Sequence, residues 1–430
     1  MKTGSIHIET ETTFFLSPNS LRYIPEFDRY QKRLHESIRL WLGATVESGF
    51  QSYLELRLHT CKTQLIMDTT PEKIKQLLHE SLDEGLKNIK SCKQCALLNY
   101  PNHYNIGDHL IWLGSIFYLV NVLGFAVNYA ASIESFSREE LAEKVGQSPI
   151  FFHGGGNFGD IWSYYQRFYE RLIPDYHDRP IIFLPQSIRF RSEERLQRAK
   201  NIFNDHPDIT IFARENRSYE FAKQHFYNCK VFKSPDMALE MINIANLSFF
   251  KPRRKDTILY LSRKDGELNR NSSPESIDIP NVIIEDWASY RFKGVPRTLS
   301  IPGIAHILQQ SWQQGTVIPH EWISRQLWKQ FHSYTATFDQ LDNPSLHRKS
   351  WNFMHNGVYQ FLQHRLIITN RLHGHILCIL LKIPHLFLAN SYYKNESFYE
   401  TWTYQIPFCR FIQDALEIKP KAKELMDLYF

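Results

Sequence analysis

The chain has 430 residues and a hydrophobic share of 43%. That length favours two domains, or two plus an extension, and no apolar run reaches the ~18 residues of a membrane span. The formal net charge of +5 is dispersed, as in Arg191–Lys200 with its Glu193 and Glu194, which excludes a basic nucleic-acid surface. The six cysteines are scattered, and Met1–Phe15 lacks the basic and apolar regions of a secretory signal, so a reducing cytoplasm is expected.

Residues 1–90 read as a mostly helical extension. Leu34, Ile38 and Leu42 recur at helical spacing, and so do Ile74, Leu77, Leu78 and Leu82. Short apolar runs then alternate with helical stretches. Ala96–Leu98, Pro149–Phe152, Ile181–Leu184, Asp208–Phe212 and Val231–Phe232 form a first set. A polar joint follows near residues 246–256. Thr257–Leu261, Asn281–Ile284, Arg365–Thr369 and His385–Leu388 form a second set. This rhythm predicts parallel strands with crossover helices, and ligands in such sheets bind beyond the strands' carboxyl ends. The expected fold is α/β, with two Rossmann-like domains at 91–248 and 256–405. Residues 406–430 are expected to form a C-terminal helix that crosses back to the first domain.

The unusual polar residues cluster where the strands end. Gly154–Asp160 matches a glycine-rich G-x-G-x-x-G loop. The next strand ends in Leu184-Pro185-Gln186-Ser187 rather than in the acid that would hold a ribose, which argues against a bound dinucleotide. The loop is then either a turn whose glycines only satisfy the backbone, or an anion site at a helix N-terminus. Asp108 either caps the helix that follows it or faces a ligand. Arg371 and His373 lie between an apolar strand and an apolar helix, where an arginine needs an anionic partner. No metal site is expected, because His373 and His375 have no Cys or further His at a familiar ligand spacing. Cys92 and Cys95 precede the first strand, which disfavours a redox role.

Seven stretches in chain order resemble the polysaccharide pyruvyl transferase family. They are Asn105–Asp108 with Ile111–Gly114, Gly154–Asp160, Leu184–Ser187, Ala213–Glu215 with Ser218, Pro235–Ala238, Asn370–His373, and Asn390–Tyr392 with Lys394. They span roughly residues 95–405. The resemblance implies a GT-B-like fold whose two domains face a cleft, the first on the acceptor side and the second on the donor side. It implies transfer of pyruvate from phosphoenolpyruvate, as co-substrate and without another cofactor, onto two hydroxyls of one sugar as a ketal. The acceptor would be a sugar or lipid-linked oligosaccharide of exopolysaccharide or cell-surface glycan synthesis, met at the membrane periphery.

The resemblance also implies roles. His373 and Arg371 would be catalytic. Arg214, Arg371, Lys394 and Asn370 would bind the donor, whose carboxylate and phosphate need several cations. Asn105, Asp108, Gly155, Gly156, Asn157 and Gln186 would bind the acceptor. Relatives often carry Asp where Asn370 and Ala389 stand, and Gly where Tyr393 stands. Two other readings stay open. One is a nucleotide-sugar glycosyltransferase with Glu285 or Asp286 on the donor's ribose. The other is a non-catalytic glycan-binding member of the family.

Overall fold

The computed structural model describes residues 70–242, 252, 254–263, 279–287, 324, 327 and 333–430. The expected helix near residues 30–42 and most of the joint at 246–256 lie outside them.

Helix α1 (Pro71–Gly85) opens the described chain. The Thr70 hydroxyl accepts from the Lys73 amide at 3.2 Å, and proline occupies the first turn, where its missing N–H costs nothing. Ile74, Leu78 and Leu82 are buried along one face. Ser81 donates to Ser234 Oγ at 2.7 Å and Lys75 to the Glu240 carbonyl at 2.6 Å, so α1 packs onto the first sheet.

Seven parallel strands make that sheet. They are β1 (Gln94–Leu98), β2 (Ala126–Ala131), β3 (Ile150–Phe152), β4 (Gly155–Gly159), β5 (Ile181–Arg189), β6 (Ile209–Ala213) and β7 (Lys230–Lys233). Their order is β2-β1-β3-β5-β6-β7, with β4 also paired to β5. Crossovers run through α2 (Ile106–Phe117), α3 (Arg138–Val145), α4 (Ser163–Leu172), α5 (Glu193–Asp205) and α6 (Asn216–His225). The second sheet has five parallel strands in the order β12-β11-β10-β8-β9. These are β8 (Ile258–Leu261), β9 (Val282–Glu285), β10 (Leu366–Thr369), β11 (His385–Leu388) and β12 (Cys409–Ile412). Its helices include α7 (Ser333–Phe338), α8 (Pro344–Leu362), α9 (Leu372–Leu381), α10 (Lys394–Phe398) and α11 (Ile418–Tyr429).

The chain is therefore α/β with two parallel sheets, and several details differ from expectation. Strand β2 was not anticipated, because Ala126-Val127-Asn128-Tyr129-Ala130-Ala131 is alanine-rich and weak in β propensity. The glycine-rich segment is a strand rather than a strand-to-helix turn. Gly155 pairs with Gln186 and Gly159 with Arg189, and α4 begins only at Ser163. Gly159 has φ +119°, and a Cβ there would stand 1.9 Å from the Arg189 carbonyl oxygen. Its lack of a side chain thus permits the pairing. Residues 406–430 contain β12 before α11. That helix does not cross back: Ile418, Ala422 and Leu425 pack with Leu366, Ile368 and Leu386 of the second sheet.

One continuous core links the two sheets. Ile106, Leu110, Trp112 and Leu113 of α2 join Trp351, Met354 and Val358 of α8 and Ile376 and Leu377 of α9. Histidines are built into this interior. Burial lowers His109 to about 3, and His153, His347 and His385 to about 4. They fold neutral, whereas the unfolded chain protonates them below about 6.5. The unfolded state thus binds more protons in that window, and stability falls as pH drops. The melting temperature should be level above pH 6.5 and decline steadily from there toward pH 4, measured by thermal unfolding.

Candidate active site

A cavity of about 630 Å³ gathers residues that lie at or beyond strand ends of both sheets. Asp108 lies beyond β1 in the first turn of α2, Asn157 on β4, and Arg214 beyond β6. From the second sheet come Arg263 after β8, Asp286 after β9, His373 after β10 and Lys394 after β11.

Arg214 is 1% exposed. Its Nε donates to Ser187 Oγ at 2.8 Å and its Nη1 to Asp236 Oδ2 at 2.7 Å. Asp236 is wholly buried and accepts the Ala238 amide at 2.9 Å through Oδ1. Burial alone would raise this carboxyl. The adjacent His373 and Arg214 outweigh burial and hold it well below the usual carboxylate range. Oδ2 also stands 3.5 Å from His373 Nε2, within ion-pair reach but outside hydrogen-bond geometry. One carboxylate oxygen from the first sheet therefore faces both Arg214 and a histidine of the second.

His373 lies in the first turn of α9 and packs over α2. A Cβ on Gly107 would fall 2.3 Å from its Nδ1. Gly107→Ala should improve helix propensity, yet its methyl would also stand 2.5 Å from His373 Cβ, so the imidazole and the start of α9 must shift. Overpacking of this kind costs about 1–3 kcal/mol, and we expect a lowered melting temperature, read by thermal unfolding.

Arg371 grips Asp286 with two parallel bonds, Nε to Oδ1 at 2.6 Å and Nη2 to Oδ2 at 2.7 Å. That fork fixes the guanidinium plane. The anionic partner expected for Arg371 is thus found within the chain. Lys394 is 6% exposed and lies with its Nζ 5.3 Å from the Tyr392 ring centre.

Among the residues expected to face an acceptor, Asn105, Asp108, Gly156 and Asn157 line the cavity. Asn105 caps α2 by accepting the Gly107 amide at 3.2 Å and donates to Asp108 Oδ2 at 2.8 Å. Burial pushes the Asp108 carboxyl up, but His103, His373, His153 and His109 around it prevail and lower it. Three expected residues do not line the cavity. Gln186 is fully buried and donates to the His153 carbonyl at 2.7 Å. Asn370 is fully buried, its Oδ1 accepting the Arg263 amide at 3.1 Å. Gly155 is a buried residue of β4 with φ +119°. All three lie beneath the wall: Gln186 and Gly155 are paired within β5 and β4, and Asn370, just after β10, is turned inward onto the Arg263 amide.

Tyr393 is accommodated without backbone strain. Its φ is −60°, its hydroxyl donates to the Ile188 carbonyl at 2.9 Å, and Arg189 and Arg217 flank its ring. Asp236 lies in a matched stretch, and Arg263, Trp162, Tyr165 and Trp287 line the cavity; in the sequence, only their position beyond strand ends marks them.

His375 does gain distant partners, contrary to the spacing argument. Ligand atoms of His375, His385 and Cys409 lie within 4.8 Å of one another, all buried. Hydrogen bonding already satisfies both rings. His385 Nδ1 donates to the Ile383 carbonyl at 2.9 Å, so its Nε2 must accept from His375 Nδ1 at 2.7 Å. His375 Nε2 then accepts from the Thr403 hydroxyl at 2.9 Å.

Two parallel sheets that share an arginine-lined cavity define the chain as an α/β protein. The chain belongs to the polysaccharide pyruvyl transferase family, whose sequence model matches residues 105–392. "Putative pyruvyl transferase EpsO" of Bacillus subtilis is 27% identical over 343 residues, covering 79% of this chain and 94% of that protein. "Pyruvyl transferase 1" of Schizosaccharomyces pombe is 27% identical over 318 residues, covering 72% and 70%. A crystal structure of an uncharacterized Klebsiella pneumoniae protein aligns with TM-score 0.49 and 20% identity, over 78% of this chain and 98% of that one.

Proposed function

We propose that the chain is a pyruvyl transferase that moves pyruvate from phosphoenolpyruvate onto two hydroxyls of one sugar, in a GT-B-like cleft. The first sheet would face the acceptor and the second the donor, with the joint at residues 246–256. The observation that carries the reading is the convergence of Arg214, Arg263, Arg371 and Lys394 around His373 in one cavity. A donor with a carboxylate and a phosphate asks for such a set. The family membership supports the same reading.

The chemistry sets the roles. A proton adds to the methylene carbon of phosphoenolpyruvate, and His373 would supply it. The first sugar hydroxyl attacks C2 and loses its proton. The bond from C2 to the phosphate oxygen breaks, and inorganic phosphate leaves with the electron pair. The second hydroxyl attacks the same carbon and loses its proton, closing the ketal. One proton ends on the new methyl group and one on phosphate. The cations would hold the donor's carboxylate and the departing phosphate, and Asp108 and Asn157 would orient the sugar. No further cofactor enters this sequence.

The nucleotide-sugar reading is less well supported. Glu285 accepts from Gln360 Nε2 at 2.9 Å. A ribose would have to share Asp286 with Arg371, just as a donor anion would have to share Arg371 with Asp286 and Arg214 with Asp236. The family membership favours the pyruvyl reading. Among the described residues no helix is long and apolar enough to cross a membrane. We place the reaction in the cytoplasm, with the acceptor free or lipid-linked at the membrane periphery. The test is to incubate the protein with phosphoenolpyruvate and a panel of sugars, following phosphate release and product mass. A gain of one ketal-linked pyruvate per sugar supports the proposal. Turnover with a nucleotide-sugar but not with phosphoenolpyruvate would overturn it.

A further inference from the structure

We infer that Asp236 is a positioning residue that sets His373 against the donor-binding Arg214, acting through the histidine rather than on the substrate. The inference rests on the function proposed above. Asp236 does not line the cavity; its side chain is completely buried behind the wall. It follows β7, whereas His373 follows β10, so the contact joins the two sheets. The carboxylate is itself fixed. Oδ1 takes the Ala238 amide at 2.9 Å, where Asp236 caps a short helical turn, and Oδ2 takes Arg214 Nη1 at 2.7 Å.

That leaves Oδ2 pointing at His373 Nε2 from 3.5 Å. At that distance the carboxylate acts by charge rather than through a formed hydrogen bond, and it favours a proton on the facing Nε2. The proton that His373 exchanges would then be the one on Nδ1, which lies against Gly107 at the start of α2. The other charged or titratable groups around this pair are Arg214, Asp108, His103 and His153. None of these four is in ion-pair reach of His373 among the described residues; Asp236 is. The arrangement sets His373 Nε2 against the same carboxylate oxygen that holds Arg214.

Asp236→Asn keeps the volume and leaves an oxygen to accept from Arg214, which Ser187 also holds. The change also takes the counter-charge from a buried arginine, so thermal unfolding accompanies the kinetics to confirm that the variant is folded. It removes the charge that selects one tautomer. We expect kcat for phosphate release from phosphoenolpyruvate to fall ~10²-fold, the lower end for an acid–base group, with KM for phosphoenolpyruvate changed by no more than a few-fold. The decisive comparison is a double-variant cycle. A residue that acts through His373 has nothing left to contribute once His373 is gone, so Asp236→Asn should add little to His373→Gln. Multiplicative losses in the double variant, or normal kcat in Asp236→Asn, would overturn the inference. Nitrogen-15 spectra of the His373 imidazole, assigned by its loss in His373→Gln, need no turnover. They should show the Nε2–H form in the wild type and a mixture in Asp236→Asn; identical spectra would also overturn it. If the wild type releases no phosphate from phosphoenolpyruvate, the proposed function fails, while the spectra still decide whether Asp236 sets the ring.

Discussion

Replacing His373 by glutamine should lower phosphate release from phosphoenolpyruvate by about 10²- to 10⁴-fold, the contribution of a general acid–base group. Glutamine preserves volume and hydrogen bonding but cannot shuttle a proton. Donor affinity should stay within a few-fold, because Arg214, Arg371 and Lys394 line the same cavity and carry the opposite charge to the donor. His375→Gln cannot serve as a silent control. Its ring lies in the buried chain from Thr403 to Ile383, and glutamine cannot offer an acceptor and a donor at both ring positions. His375→Gln should therefore destabilise the fold, whereas His373→Gln should not. Kinetics and thermal unfolding on the two variants separate the cases. Normal turnover in His373→Gln, or loss of donor binding as its only effect, would remove the histidine from the proton transfer.

Arg214→Ala should be damaging twice over. The Arg214–Asp236 pair is 1% and 0% exposed. Removing one partner from such a pair leaves an uncompensated buried charge and costs about 3–5 kcal/mol. That is a large part of the 5–15 kcal/mol typical of a domain. Phosphoenolpyruvate binding should also weaken by roughly ten- to a hundredfold, since a charged hydrogen bond contributes about 1.5–3 kcal/mol. The two effects can be pulled apart. Arg214→Ala combined with Asp236→Ala removes the orphaned carboxylate, so it should be more stable than Arg214→Ala alone and no more active. Denaturant unfolding and calorimetric titration with phosphoenolpyruvate measure each part. If the double variant is the less stable of the two, the pair is not what limits stability there.

Much of the framework could be read from local pattern. The apolar runs before Arg214, Arg263, Asp286, Arg371 and Tyr392 all proved to be strands, and four of those five side chains line the cavity. Strand β2 was hidden because its alanines and Asn128 lack a β signature. The glycine-rich segment misled for a different reason. Its sequence satisfies a turn motif, while its conformation is set by pairing with β5, which only the assembled sheet supplies. Long-range pairing also explains the site residues that were missed or misplaced. Asp236 is significant because two elements distant in sequence meet at its carboxylate. Gln186 and Asn370 sit in polar stretches, yet tertiary packing drew both fully inside. Periodicity reports which residues are near a strand end, not which of them face the cavity.

Asp236, Tyr393 and Trp402 each form a contact between the half built on one sheet and the half built on the other. Tyr393 reaches the Ile188 carbonyl, Trp402 Nε1 donates to the Arg214 carbonyl at 2.8 Å, and Asp236 meets His373. A motion that parts the sheets would break all three together. Arg214 and Asp236 would stay with one half, while the imidazole would leave with Arg263, Arg371 and Lys394 on the other. Parting the sheets would therefore strip His373 of its carboxylate neighbour and the cavity of one of its arginines.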